Sequence, residues 1–202
     1  MLPGKSYTIT LKFELGIQLA ASNINLTQNG CTTNDKNDLA KLRWATGNLK
    51  STGSTNYIWA PSQTEIGYYY AFNKLYNGST GDPCSKLNTA YYGTGWRTPS
   101  KNELEKLSRC TDKVFTNNGM WFMNKSLGVF LKAGGVRQES GSGTNGATYT
   151  DHGCYWTSTI GTSKNAYNME FWNTEAHVNN TSSWFGLQTN GLLIRCVKGT
   201  KQ

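Results

Sequence analysis

Charged residues are scarce in this chain of 202 residues, where they make up 16% of the sequence, and histidine occurs only twice. Low charge combined with 12% aromatic residues excludes the disordered class of protein, because the aromatic side chains can bury enough apolar area to fold. Long apolar runs are also missing, so we expect neither a bilayer-spanning helix nor a secretory signal peptide within these residues. We expect any export signal to lie upstream of Met1. The length predicts one domain, with or without a short appendage.

Cysteine pairs of the CxxC type are absent, and this argues against a zinc knuckle or a thioredoxin-type redox site. Widely spaced cysteines and two histidines give no basis for a metal site, and no cofactor is expected. An odd number of cysteines predicts two disulfides and one remaining thiol, as in an exported protein, and the sequence leaves the pairing open. The five cysteines are Cys31, Cys84, Cys110, Cys154 and Cys196.

Basic residues are in excess, with a net charge of +8, but they are scattered along the chain. The densest stretch, residues 101–109, is interrupted by Glu103 and Glu105. We therefore interpret the charge as a solvated surface and expect no nucleic-acid partner and no direct membrane insertion. His152 and His177 have no carboxylate or cysteine at ligand spacing, and no GxSxG or phosphate-binding glycine loop occurs. No catalytic residue is identified, and the chain is not expected to be an enzyme.

The N-terminal residues 1–26 are interpreted as a strand segment, and residues 27–202 as the ligand-binding domain. Residues 6–13 alternate polar and apolar side chains, which predicts a β-strand. This strand either pairs within the domain or ends a preceding domain. Residues 16–26 are a second strand or a connector.

One helix is predicted directly after Ser100. Ser100 and Glu103 have the spacing of a capping box, in which each residue satisfies a backbone N–H of the other. Thr98 before Pro99 is the alternative N-cap, with proline in the first helical position.

The remaining pattern consists of short strands and long loops. Loops are expected at residues 77–83 and 141–146, and a turn at residues 47–48 closes the apolar run 39–49. Few helices, short strands and long loops together predict an α+β fold. Strands are expected at residues 68–72, around Phe122, at 129–131, from 153 onward and at 192–197.

Four ordered motifs resemble one family. They resemble the Fibrobacter-succinogenes-type major paralogous domain, a C-type-lectin-like module related to formylglycine-generating enzymes, over about residues 44–198. The chain departs from the family pattern at Ser100, Thr157 and Ile194. The resemblance implies a C-type-lectin-like fold, and a structural ion pair or cap between Arg97 and Glu103. The motifs are GDPC (81–84), GWRTPSKNEL (95–104), GCYWTST (153–159) and IRCV (194–197).

Residues 155–197 resemble the variable region of proteins that diversity-generating retroelements diversify. The carriers of the resemblance are the YWTST string, the run NAYNMEF at residues 165–171 and the closing RCV. It implies a variable protein whose binding surface changes by mutation of asparagine codons. In the alternative interpretation, the asparagines are ordinary turn formers of a loop-rich domain.

Residues 2–11 resemble the end of a fimbrillin-like domain of pilus tip proteins. This resemblance implies an extracellular adhesin of the bacterial cell surface, carried at a fimbrial tip. Its partners would be pilus subunits and a protein or glycan ligand on another cell.

The region 155–197 divides into frame and candidate ligand surface. Large aromatics supply most of the buried area in such folds, so Tyr155, Trp156 and Trp96 are assigned to the frame. Met169, Phe171 and Ile194 alternate with polar neighbours and are also expected to point inward. Aromatic and polar residues in turn-rich sequence suit rigid anchors and adaptable contacts of a binding surface. The candidate ligand-binding residues are Trp172, His177, Asn179, Thr181, Ser183, Trp184, Phe185 and Leu187, joined by Ile160, Thr162 and Lys164.

Neither calcium-dependent sugar binding nor catalysis follows from the resemblance. The motifs EPN, QPD and WND are absent, and Trp172–Asn173 is followed by Thr174 where a calcium ligand would be needed. A formylglycine-generating-type oxidase would need two reactive thiols near the C-terminus, where only Cys196 lies. The remaining alternative is a structural pilus subunit without a ligand of its own.

Overall fold

The fold is mixed α+β, with few helices and small antiparallel sheets, as the sequence predicts. The computed structural model describes residues 16–24, 30–116, 118–138, 142–145, 147–179 and 184–201, with only the backbone of Trp184. The strand predicted at residues 6–13 lies outside these ranges. Among the described residues, no helix combines the length and the apolar character that crossing a membrane requires.

The described helices are α1 (Thr33–Ala40), α2 (Thr89–Tyr92) and α3 (Lys101–Cys110). Helix α3 is the predicted one, and its N-cap is Ser100 and not Thr98. Ser100 Oγ accepts a hydrogen bond from the Glu103 N–H at 3.2 Å, and the Glu103 carboxylate accepts from the Ser100 N–H at 2.7 Å. Arg97 donates to both oxygens of the fully buried Glu103, at 2.7 and 2.5 Å. The expected ion pair and cap therefore form one unit.

Helix α1 was not predicted, because its first two turns are polar. Its N-cap is Thr32, whose side chain accepts from the Asp35 N–H, while Asp35 accepts from the Thr32 N–H in return. Of its apolar residues, Leu39 is completely buried. Arg109 from α3 donates to Asp35 at 2.8 Å, so the two helices pack side by side.

Twelve short strands form four antiparallel sheets within the described ranges. The order in these sheets is β1-β2-β12-β5, β11-β10-β9, β3-β4 and β6-β7-β8. The strands are β1 (Ile17–Gln18), β2 (Arg43–Trp44), β3 (Leu49–Ser51), β4 (Tyr57–Trp59), β5 (Trp96–Arg97), β6 (Lys113–Phe115), β7 (Gly119–Phe122), β8 (Val129–Lys132), β9 (Gly153–Ile160), β10 (Ala166–Trp172), β11 (Glu175–Asn179) and β12 (Val197–Lys198).

Strand β9 separates two hydrophobic cores. Successive side chains of a strand point to opposite faces, so Tyr155 enters the core that also holds α1 and α3, while Cys154 and Trp156 enter the second core. On β10, Met169 and Phe171 join the first core, as expected. Because both faces are covered, this strand pair forms a rigid support for the segments around it.

Two predicted strands are wrong in part. Residues 68–72 contain only isolated bridges, from Tyr69 to Gly143 and from Tyr70 to Leu192. The closing stretch 192–197 bridges at its start, is then interrupted, and re-enters a sheet only at Val197. The interruption coincides with Arg195, whose side chain is buried.

Arg195 is 1% exposed and binds only neutral oxygens. It donates to Asn48 Oδ1 at 2.9 Å, to the Ala45 carbonyl at 3.0 Å and to the Phe130 carbonyl at 2.8 Å. Burial lowers its pKa to about 10. Asn48 in turn donates to the Tyr155 hydroxyl at 3.0 Å, and burial raises the pKa of Tyr155 to about 12. The guanidinium also donates to Gln63, so it joins its own segment to those around Asn48, Gln63 and Phe130.

The disulfides are Cys31–Cys110 and Cys84–Cys196, and Cys154 is the remaining thiol. The predicted count of two disulfides and one thiol is therefore confirmed. The first bridge ties the segment before α1 to the end of α3. The second ties the residues before α2 to the residues before β12.

The described end of the N-terminal segment packs with the rest of the chain. Strand β1 pairs with β2, and both Leu19 and Ile24 are buried in the first core. The boundary predicted at residue 26 stays a prediction, because residues 1–15 and 25–29 lie outside the described ranges.

Candidate ligand-binding site

The second face of the β9–β10–β11 sheet carries the candidate residues Trp172 and His177. In the β10–β11 register, Glu170 lies opposite His177, and Trp172 lies opposite Glu175. Phe171, between them in sequence, points into the first core, so Glu170 and Trp172 share the opposite face. Gly153 of β9 fits beside the Phe171 ring, where a Cβ atom would overlap it. The sheet therefore fixes the position from which Trp172 projects.

At the edge of this face, five rings form a cluster that we call the aromatic patch: Tyr149, His152, Trp172, His177 and Phe185. The Trp172 ring lies 5.4 Å from the His152 ring and 5.9 Å from the His177 ring, measured between centroids. The Phe185 ring lies 5.5 Å from Tyr149 and 6.3 Å from His152. Three of the predicted ligand-binding residues, Trp172, His177 and Phe185, are thus brought together.

The aromatic patch is open to solvent. Trp172 is 38% exposed and Tyr149 is 49% exposed, although both are large hydrophobic residues. Phe185 is half-buried, and it packs against the second core. Exposed rings that are held by a rigid support lose little conformational entropy when they bind, which is the property of interface anchors.

Two carboxylates form the polar rim of the aromatic patch. His152 Nδ1 lies 2.9 Å from an Asp151 oxygen, and His177 Nε2 lies 3.1 Å from a Glu175 oxygen. The hydrogen bond with His152 holds the pKa of Asp151 below its ordinary value. Both carboxylates are exposed. The rim therefore offers hydrogen-bond acceptors next to the exposed face of Trp172.

Below the aromatic patch the same face is buried and polar. Asn168 and Glu170 are 0% and 4% exposed, and the Asn168 amide donates to Glu170 Oε1 at 2.7 Å. Cys154 lies opposite Glu170 in the register, and burial, with a smaller contribution from the Glu170 charge, raises the pKa of its thiol. A buried thiol that resists ionisation is not a nucleophile. This layer supports the patch and offers no reactive group.

A second group of candidates lies at the other end of β9. Ile160, the last residue of that strand, is 63% exposed. In the following turn, Thr162 Oγ1 accepts from the Lys164 N–H at 3.3 Å, and Leu187 forms a bridge to Asn165. Thr162 and Lys164 are exposed and Leu187 is half-buried. These four residues are adjacent to one another but belong to a different region from the aromatic patch.

The remaining candidates are distributed as follows. Asn179 is half-buried at the end of β11, beside an open groove between that strand and α3. Thr181 and Ser183 lie outside the described residues. Trp184 begins the 3-10 turn Trp184–Gly186, and only its backbone is described.

Tyr149 and His152 were missed as surface residues by sequence reasoning. They precede β9, whereas the candidates were sought only within residues 155–197. Trp172 was selected because it is an aromatic residue in turn-rich sequence, and the same criterion applies to Tyr149. The structure confirms the turn, since Tyr149 has a left-handed φ of 54°. A wider window would have found it.

The one metal-like grouping among the described residues has another explanation. Cys31, Asp35 and Cys110 place their ligand atoms close together. The two sulfurs are joined in a disulfide, so they are not available as thiolate ligands. Hydrogen bonds from Thr32 and the charges of Arg109 and Lys106 outweigh the effect of burial and lower the pKa of Asp35. This carboxylate stabilises the α1–α3 contact.

Comparisons with models of known families, with curated proteins and with solved structures return no match for this chain.

Proposed function

We propose that this protein is an extracellular binding module of the C-type-lectin-like fold that contacts its ligand through the aromatic patch. The single observation that carries the proposal is the 38% exposure of Trp172 at the end of β10, directly after a run of buried residues from Asn168 to Phe171. In this proposal the module is an adhesin of a bacterial pilus tip. Its partners are a protein or glycan on another cell surface and the neighbouring pilus subunits, and not nucleic acid or a membrane.

The arrangement of frame and surface residues supports a diversified binding surface. The frame residues Tyr155 and Trp156 of β9 are 1% exposed, whereas Ile160 at the end of β9 and Trp172 at the end of β10 reach solvent. Side chains at exposed positions can change without disturbing the core, and buried positions cannot. The proposed variable positions therefore coincide with sites that tolerate substitution.

The buried state of the cysteines argues against the oxidase alternative. That chemistry needs reactive thiols, whereas Cys196 is bonded to Cys84 and the Cys154 thiol is buried with a raised pKa. In the proposed function these cysteines are structural, and the protein is not an enzyme.

Replacing Trp172 by alanine is expected to weaken ligand binding by about tenfold or more, because central aromatic anchors dominate interface energies. Binding of the fluorescently labelled protein to a glycan microarray and to immobilised extracellular-matrix proteins would measure the effect. Tyr91→Ala is the matched control, since Tyr91 is 70% exposed and lies outside the patch. Its binding should equal that of the unmodified protein.

Equal binding by the Trp172→Ala and Tyr91→Ala variants would contradict the assignment of the patch. If Trp172→Ala instead blocked incorporation into pili and left adhesion of assembled pili intact, the structural-subunit alternative would be correct. Thermal unfolding of both variants would exclude a general loss of folding.

The diversified surface predicts a second, genomic observation. A near-copy of the codons for residues 155–197, with adenines at the variable positions, should lie beside a reverse-transcriptase gene. Sequences from related strains should differ at Ile160, Thr162, Lys164, Trp172 and His177. Absence of such a copy would disprove the diversification while leaving the proposed binding module intact.

A further inference from the structure

A pocket separate from the aromatic patch lies along the second half of β9, from Trp156 to Ile160. It has a volume of about 200 Å³ and is bordered by Ile160. This volume exceeds the ~30 Å³ share of a single water several-fold, so a compact organic group fits. The residues that define the pocket are Phe72, Asn73, Asp82, Thr98, Trp156 and Ser158.

Asp82 gives the pocket a negative charge. Its Oδ1 accepts from the Cys84 N–H at 3.0 Å and from the Thr98 hydroxyl at 2.7 Å, and its Oδ2 accepts from the Thr98 N–H at 2.9 Å. All three donors are neutral. An ionised carboxylate has about four acceptor positions, so one position on Oδ2 remains. In the part of the chain that the structure describes, no cationic side chain forms an ion pair with Asp82.

Two aromatic rings form the apolar part of the pocket. Phe72 and Trp156 meet edge to face, with centroids 5.4 Å apart. The Trp156 indole N–H donates to the Tyr70 carbonyl at 2.7 Å, which fixes that ring, while Phe72 is half-buried. Aromatic faces attract cations through their quadrupole, and an ionised carboxylate forms its strongest hydrogen bonds with charged donors.

We propose that this pocket binds a primary ammonium group, presented by a lysine side chain or by an amino sugar. An ammonium ion has three donors and one positive charge, so it can use the remaining acceptor position of Asp82 and contact the ring of Phe72. An anion would meet the Asp82 charge, and a neutral apolar group would leave it without a partner. No residue that lines the pocket belongs to the aromatic patch. The two proposals can therefore fail independently.

The test is an NMR titration of the ¹⁵N-labelled protein with two amines and their neutral counterparts. The amines are Nα-acetyl-lysine amide and glucosamine, and the counterparts are Nα,Nε-diacetyl-lysine amide and N-acetylglucosamine. Both amines are expected to shift the amide signals of Asp82, Thr98 and Ser158, and the counterparts are not. A response to one amine only identifies the source of the ammonium group. Equal shifts with amines and counterparts would overturn the proposal.

Introducing a charge at Ile160, which borders the pocket, tests the electrostatics of the site. The fold should not change, because Ile160 is 63% exposed. Ile160→Glu should strengthen binding of Nα-acetyl-lysine amide and Ile160→Lys should weaken it, each by a few-fold, with the difference reduced at high salt. Phe72→Ala should weaken binding about tenfold, and Trp172→Ala should have no effect. If all the Ile160 and Phe72 variants bound Nα-acetyl-lysine amide with the same affinity, the ammonium site would be refuted. Weaker binding of the surface ligand by Trp172→Ala bears only on the proposed function.

Discussion

Replacing Arg195 by methionine is expected to lower the free energy of unfolding by about 3–5 kcal/mol. The substitution removes the hydrogen bonds that Arg195 donates to the buried Asn48 side-chain oxygen and to the Ala45 and Phe130 carbonyls. Each buried polar group without a partner costs about 1–3 kcal/mol, and the guanidinium no longer has to be desolvated, which offsets part of the sum. Domains are stable by only about 5–15 kcal/mol, so much of the folded population would be lost at elevated temperature.

Two further variants separate the hydrogen bonds of Arg195 from its charge. Arg195→Lys keeps the charge but cannot reach three diverging acceptors, so its stability should lie between those of the methionine variant and the unmodified protein. Lys164→Met removes a cation from an exposed position and should change stability by less than about 0.5 kcal/mol. Urea unfolding of the three variants, followed by tryptophan fluorescence, gives the comparison. A methionine variant as stable as the unmodified protein would show that these contacts do not hold the segments together.

Features that depend on neighbouring residues were predictable from the sequence. The capping box of α3 needs only the spacing of Ser100 and Glu103, and the inward position of Tyr155 follows from the alternation of a strand. Helix α1 also has a capping box, between Thr32 and Asp35, with aspartate at the position where glutamate or glutamine is usual. Its polar first turns showed no apolar period, although the capping pattern was readable.

Features that depend on distant segments could not be predicted. Arg195 resembles any strand residue in sequence, and its acceptors lie 65 to 150 residues away along the chain. The contact between the Trp172 and His152 rings was unpredictable for the same reason. Which rings touch across a sheet depends on the register of strands, and that is fixed by tertiary packing.

Removing the Cys84–Cys196 disulfide is expected to destabilise the protein by about 2–5 kcal/mol, because the bridge closes a long loop in the unfolded chain. The sequence separation is 112 residues, against 79 for Cys31–Cys110. In the chain-entropy view, a disulfide that closes a longer loop lowers the entropy of the unfolded chain slightly more and so stabilises the fold slightly more. The Cys84→Ala/Cys196→Ala double variant should therefore be at least as destabilised as its Cys31→Ala/Cys110→Ala counterpart. Urea unfolding of both double variants without reductant measures the difference.

A thiol count decides whether the bridges exist in the purified protein. The unreduced protein should offer no reactive thiol when native, since Cys154 is buried, and one thiol after denaturation. Each double variant should give the same count, because it removes both sulfurs of one bridge and leaves the other bridge intact. Five thiols in the denatured, unreduced protein would contradict both bridges, and the two double variants would then lose only the packing of buried sulfur. Under that outcome the proposed extracellular location would lose this support as well, because disulfides persist in oxidising compartments and rarely elsewhere.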